Sequence, residues 1–271
     1  MTVVDRAGYD RALRRARQLA HPQGEFVGQE SFMSAGEIRT IARRAGIGRG
    51  VSVLDLCCGV AGPGRLITGS LGCDYLGVDA DAGAVAVARE RSRGLRCHFR
   101  VCPVPPLPAG RFDVALLLET MLAFADKEAL VSAVARGLLP GGRFAFTLEE
   151  GMPLSAVERA SMPASDTVRL CREVALVESL SRHGMTVRWR EDWSREHARR
   201  ADALARAFAT DAPSIEAQLG QDALDSLLVS HRLWADWLGT GRARKLAFVA
   251  QRDCTECPRR AVSGAAPSSG W

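Results

Sequence analysis

Lysine is nearly missing from this chain. Of its 36 Lys and Arg residues only Lys127 and Lys245 are lysine, so the cationic surface is built from arginine. Net charge is low too, +5 over 271 residues, and the arginines alternate with Asp, Glu and Ala along helical stretches. So weak and even a field reads as solvated helix faces and argues against a nucleic-acid partner, whose binders concentrate positive charge. No run approaches the ~18 apolar residues that a membrane span needs. The polar, Arg-rich start lacks the apolar segment of a signal peptide. The eight cysteines lie mostly inside apolar runs and are expected as reduced, buried thiols of a cytoplasmic protein. Cys254-x-x-Cys257 has no second pair nearby, so no metal site is expected there or elsewhere.

What is present is ordinary globular material, 47% hydrophobic and 25% charged. It excludes wholesale disorder, collagen and a disulfide-stapled miniprotein. The length suits one large domain with an added piece, and no internal repeat is visible.

Residues 1–24 predict an amphipathic helix ending at His21-Pro22. Ser34-Ala-Gly-Glu37 is a capping-box pattern opening a helix that Gly46 closes. Apolar runs predict strands at Val51–Leu56, Asp74–Val78, Arg96–Val101, Asp113–Leu118, Arg143–Leu148, Thr186–Trp189 and Lys245–Gln251. Between them, helices are expected through Leu71, over Ala82–Arg91, over Lys127–Leu139 and over Thr167–His183. Alternation of strand and helix implies a largely parallel sheet. Residues 194–240 read as helical, broken at Pro213 and Gly220. The Pro/Ser/Gly/Ala-rich segment after Arg252 reads as a disordered tail. The expected division is a helical cap over 1–48, a core over 49–193 and 241–252, a helical lid over 194–240 and a tail over 253–271.

The sharpest signal is Val53-Leu-Asp55-Leu-Cys57-Cys58-Gly59-Val60-Ala61-Gly62-Pro63-Gly64. A buried strand runs into small residues and then a helix, so a ligand can lie against backbone beside the helix N-terminus. Asp79, with Ala80 after it, ends the next strand and can accept both ribose hydroxyls of an adenosine. The glycines fall in the wrong order for Gly-x-Gly-x-x-Gly dinucleotide binding. Asp55 would repel a pyrophosphate but suits a ligand bearing an ammonium group.

These residues resemble the first motif of the class I S-adenosylmethionine-dependent methyltransferases. The resemblance spans roughly residues 30–150. Asp55 and Gly59 match, while Cys57 and Ala61 stand where glycine is usual. Asp79 matches the ribose-binding acid, Phe112-Asp113-Val-Ala-Leu the start of strand four, and Leu139-Pro140-Gly141-Gly142 the turn before strand five. Gly28-Gln29-Glu-Ser-Phe32-Met33-Ser34 resembles the cofactor-covering segment of small-molecule enzymes of the phosphoethanolamine and sarcosine type. The resemblance implies a Rossmann-like α/β fold, with a seven-stranded, mostly parallel sheet, helices on both faces and a helical lid. It implies S-adenosylmethionine as cofactor. Ser34 and Gln29 would hold its methionine carboxylate, and backbone at Cys102 and Val104 would read the adenine. Glu119, past strand four, is expected at the pocket mouth or as a loop acid, and Gly62 in the loop.

Methyl transfer needs proximity and alignment, and a base only where the acceptor must lose a proton. Candidate bases are Glu149, His197 and His231, the histidines reading more readily as helix-surface or packing residues. Candidate acceptor contacts are Tyr9, Glu25, Phe26, Glu30, Glu150 and Trp234. The Asn/Asp-Pro-Pro-Tyr signature of nucleic-acid amino methyltransferases is replaced by Glu119-Thr-Met-Leu, and a lid disfavours a flat macromolecule. The expected acceptor is therefore a small molecule, methylated on N, C or O, by a monomer or homodimer. The Arg/Ala bias suggests a GC-rich bacterial source and a natural-product scaffold, indole or another nitrogen-containing ring. A methyltransferase-fold cyclase keeping the cofactor as a structural ligand is the alternative.

Overall fold

The computed structural model describes residues 6–254. Cys257 and most of the expected tail lie outside them. Seven strands form one sheet in the order β3-β2-β1-β4-β5-β7-β6. Five are parallel: β1 (Ser52–Leu56), β2 (Asp74–Asp79), β3 (Cys97–Val101), β4 (Phe112–Leu117) and β5 (Leu138–Glu150). β6 (Met185–Asp192) and β7 (Arg244–Arg252) close the edge, β7 running antiparallel to both β5 and β6.

Strand side chains alternate between the two faces, and both faces are buried. Val53, Tyr75, Val114 and Val249 face one apolar cluster with α2 (Ala35–Arg44), α3 (Gly62–Leu71) and α4 (Ala82–Arg91). Leu54, Leu56, Val78, Phe146 and Phe248 face the other, with α5 (Lys127–Gly137) and α7 (Glu173–Arg182). α6 (Ala156–Ser161) lies between β5 and α7 in sequence. From β1 the chain winds outward to β3, then returns to β4 on the other side. That reversal opens a crevice at the carboxyl ends of β1 and β4, where ligands of open α/β sheets bind.

Over this crevice sits a helical layer: α1 (Arg6–Ala20), α8 (Ser194–Thr210), α9 (Ala212–Leu219) and α10 (Gln221–Thr240). Leu13, Ala16, Leu204, Phe208, Ile215 and Leu224 fuse the N-terminal helix and the inserted helices into one apolar cluster. Among the described residues no helix is long and apolar enough to cross a membrane, and no cluster fit to hold a metal is found.

Three boundaries differ from the sequence expectation. The helix after Lys127 ends at Gly137, and the Pro140-Gly141-Gly142 turn lies within the span of β5 as a register shift against β4. A Cβ on Gly142 would approach the Leu139 carbonyl oxygen to 2.8 Å, so glycine is required there. The helix expected from Thr167 begins only at Glu173, and α6 was not anticipated. β6 extends to Asp192 because an edge strand with one face in solvent carries Arg and Glu instead of an apolar run.

Candidate active site

The first cavity, about 380 Å³, occupies the crevice beside β1. Leaving β1, the chain passes through left-handed backbone at Cys57 (φ 59°), Gly59 (φ 52°) and Ala61 (φ 60°) before entering α3. Cys57 and Ala61, the two departures from the glycine pattern, thus stand where an L-residue costs roughly 1–2 kcal/mol. A Cβ at Gly62 would fall 2.5 Å from the carbonyl carbon of Gly28 and 2.6 Å from the amide of Gln29. The 28–31 segment therefore lies directly on the start of α3 and roofs the cavity. Asp79 lines the cavity with both oxygens engaged: Oδ2 accepts the Gly59 N–H at 2.8 Å and Oδ1 the Asp81 N–H at 2.9 Å. Its carboxylate is held in place before any ligand arrives.

Asp55 also lines the cavity, buried, and accepts a hydrogen bond from the Tyr75 hydroxyl. Burial pushes its pKa up to about 7; the Tyr75 bond pulls the other way and the nearby Asp79 adds to the rise. A cationic group beside it would restore the carboxylate. Burial pushes the Cys57 thiol up to about 12 and the Cys58 thiol higher, so neither is a nucleophile.

Five cofactor candidates sit differently from expectation. The Gln29 side chain donates to the carbonyls of Glu25 (2.9 Å) and Met33 (2.7 Å) and accepts the Val27 N–H (2.6 Å), so it braces the roof and leaves the cavity to its backbone. Ser34 caps α2: its Oγ accepts the Glu37 N–H at 3.1 Å, and Glu37 accepts the Ser34 N–H at 2.7 Å. The Cys102 amide already donates to the Asp79 carbonyl at 2.8 Å, and Cys102 and Val104 pack on the α5 side of the sheet. Neither of them, nor Ser34 or Ala80, lines the cavity.

A second cavity, about 210 Å³, lies under the helical layer. It shares Glu30, Ser31 and Glu119 with the first, so the two meet there. Phe32, Leu122, Trp234 and Leu238 give it apolar walls. Its charged side is a buried triad. Glu149 and Lys245 are register partners on β5 and β7, and their side chains are ion-paired. Lys245 also lies 2.5 Å from Glu119. Burial alone would lower the Lys245 pKa; its two carboxylate neighbours outweigh that and hold it above the ordinary value. Glu119 follows β4 in a left-handed conformation (φ 62°) fixed by its N–H donating to Thr147 Oγ1 at 2.6 Å. Glu149 is thus an ion-paired carboxylate and no free base.

His231 lines this cavity from α10. Its Nδ1–H donates to the Leu227 carbonyl at 2.7 Å, which leaves Nε2 as the acceptor. Burial lowers its pKa to about 4, so the imidazole is neutral at neutral pH. His197 is fully buried, stacked on Trp193, and lies 3.4 Å from Glu37 and 3.9 Å from Glu119. It backs Glu119 and does not line the cavity.

Among the acceptor candidates Glu30 and Trp234 line the cavity, Glu30 tied to Arg6 and Arg17. The other four lie elsewhere. Tyr9 sits under the guanidinium groups of Arg6 and Arg17, Glu25 accepts the Gly36 N–H, Phe26 packs on His21, and Glu150 faces Arg244. Sequence reasoning missed Phe32 and Lys245; the rarity of lysine was the one signal for the latter.

Residues 53–142 match the profile of a methyltransferase domain. The chain is 31% identical over 130 residues to phosphoethanolamine N-methyltransferase 3 of Arabidopsis thaliana, covering 45% of this chain and 26% of that protein. It thus spans about a quarter of the length of that relative. The solved [4+2]-cyclase SpnF superposes with a TM-score of 0.71 at 18% identity, over 91% of this chain and 93% of that one. Phosphoethanolamine N-methyltransferase 2 of Haemonchus contortus, solved with phosphomonomethylethanolamine and S-adenosylhomocysteine, gives 0.74 at 19% identity, over 90% of this chain and 57% of that one. Over residues 53–142 the chain is thus similar to methyltransferase domains, and the solved structures share its fold.

Proposed function

We propose that this chain is a methyltransferase that moves a methyl group from S-adenosylmethionine to a small molecule. The observation carrying this reading is the meeting of the two cavities at Glu30, Ser31 and Glu119, which would set a cofactor cleft and an acceptor chamber edge to edge. The cofactor residues fit: Asp79 is preset to receive ribose hydroxyls, the close approach at Gly62 leaves backbone facing the ligand, and the raised Asp55 pKa suits a partner that brings positive charge. When bound, the cofactor supplies an electrophilic methyl on a sulfonium. Phe32 and Trp234 would fix the acceptor by packing, the helical layer would keep water out, and the neutral His231 Nε2 would take any proton the acceptor sheds. We further propose a nitrogen-containing natural-product scaffold of bacterial origin as acceptor, methylated on N, C or O.

The second reading is a cyclase that keeps the cofactor as a structural ligand. One observation favours it: the three carboxylates at the chamber are all ion-paired, leaving proton removal to a weakly basic imidazole. Incubation with methyl-labelled cofactor and candidate scaffolds decides between them. Label in the acceptor is the transferase result; a converted scaffold with all label still on the cofactor is the cyclase result.

A further inference from the structure

Charge around the acceptor chamber is unevenly balanced. The single ammonium of Lys245 serves two carboxylates, Glu119 and Glu149, so one negative charge is in excess on the triad. Glu149 is 5% exposed, lines the chamber and accepts the Lys245 N–H through Oε1 alone. Its Oε2 is shut off from water and has no hydrogen-bond donor among the described residues. An orphaned, buried carboxylate oxygen is a costly arrangement that a donor from a ligand would relieve. Glu30, the remaining charged residue of the chamber, is paired to Arg6 and Arg17, and Arg6 is shared with Asp81 at 3.6 Å, so that cluster is balanced and the excess charge stays on the triad. Among the described residues no arginine lines the chamber, although the chain is rich in it. The other walls are the rings of Phe32 and Trp234 with Leu122 and Leu238.

We propose that the chamber selects a flat acceptor that carries a hydrogen-bond donor, either a cation or a neutral N–H or O–H, and that it excludes anionic acceptors. A small turn of the Glu149 carboxylate brings Oε2 to the chamber wall, where the donor satisfies it while the ring packs between Phe32 and Trp234. A phosphorylated acceptor, of the kind present in the Haemonchus contortus structure, would place its anion on the excess negative charge with no arginine to receive it. The inference rests on the reading of this chamber as the acceptor site, and it specifies the substrate class for that site.

A charge series on one ring tests it: tryptamine (cation), 3-ethylindole (neutral) and indole-3-acetate (anion), each titrated by calorimetry into the full chain with S-adenosylhomocysteine present. Tryptamine should bind best and indole-3-acetate worst, with the two separated by roughly tenfold or more in Kd. Glu149→Gln should bring the cation-to-anion ratio close to one. The wild-type ranking stands as a test by itself if that variant does not fold. Indole-3-acetate binding as well as tryptamine, or none of the three binding, overturns the inference, as does a ratio unchanged in a folded Glu149→Gln protein. The outcome is separable from the activity reading: a methyl label that never leaves the cofactor contradicts the transferase without altering the ranking, and an inverted ranking leaves label transfer intact.

Discussion

The two cavities are built from different materials. The cofactor cleft is made by backbone: positive-φ turns at Cys57, Gly59 and Ala61, a contact at Gly62 that admits no side chain, and two amides fixed on Asp79. The proposed acceptor chamber is made by side chains drawn from residues 30–32, the stretch after β4, β5, β7 and α10, which meet only in the folded molecule. The first is a contiguous stretch of chain whose chemistry follows from local geometry. The second is a charge arrangement that exists only because Glu149 and Lys245 fall into register across an antiparallel pair.

The largest test of this contrast is Lys245→Met. It leaves Glu119 and Glu149 facing each other in a buried site, and breaking such a pair costs about 3–5 kcal/mol. Thermal unfolding should show a large loss, and a melt like that of the parent would mean the triad is no structural device. In the cleft the corresponding change is Gly62→Ala. Its Cβ would overlap Gly28 and Gln29, displacing the roof and weakening S-adenosylhomocysteine by about a hundredfold, or roughly 2.7 kcal/mol. Retained affinity would show that the roof yields.

Protonation separates the regions by sign. Asp55 has a folded pKa of about 7, above its ordinary 3.8. Between those values the folded chain holds a proton that the unfolded chain has released, so stability falls as pH rises through this window and levels off above it. His231 has a folded pKa of about 4, below its ordinary 6.5. There the unfolded chain holds the extra proton, so stability is lost as pH falls from 6.5 towards 4. Asp55→Asn should remove the first dependence and His231→Gln the second in denaturant titrations across pH. A dependence that survives its own variant assigns the effect elsewhere. The smallest effect is expected of Ala61→Gly, which removes left-handed strain at φ 60°. A gain of about 0.5–1 kcal/mol with unchanged cofactor affinity is the expected result, and a loss would show that the Ala61 methyl packs usefully.

Legibility followed the same divide. Asp55, Gly59, Gly62 and Asp79 were readable because a strand, a small-residue turn and a helix follow one another in sequence, and each lines the cleft. The Cys102 amide assigned to adenine closes the ladder between β2 and β3 instead, and Val104 packs on the α5 side of the sheet. Gln29 and Ser34 lie in the correct segment, yet both side chains answer local backbone needs, a roof brace and a helix cap. Glu149 and His231, expected as bases, both line the second cavity, but their states were not legible, since pairing with Lys245 and the bond to Leu227 depend on tertiary contacts. His197 looked like a surface or catalytic histidine and is a buried ring behind Glu119.

Calorimetric titration of S-adenosylhomocysteine into the intact chain and into its Asp79→Ala variant is the most direct test of the cofactor cleft. Saturable binding to the intact chain, strongly reduced by the substitution, is the predicted result. No binding to the intact chain, or saturable binding of NAD in its place, would contradict it.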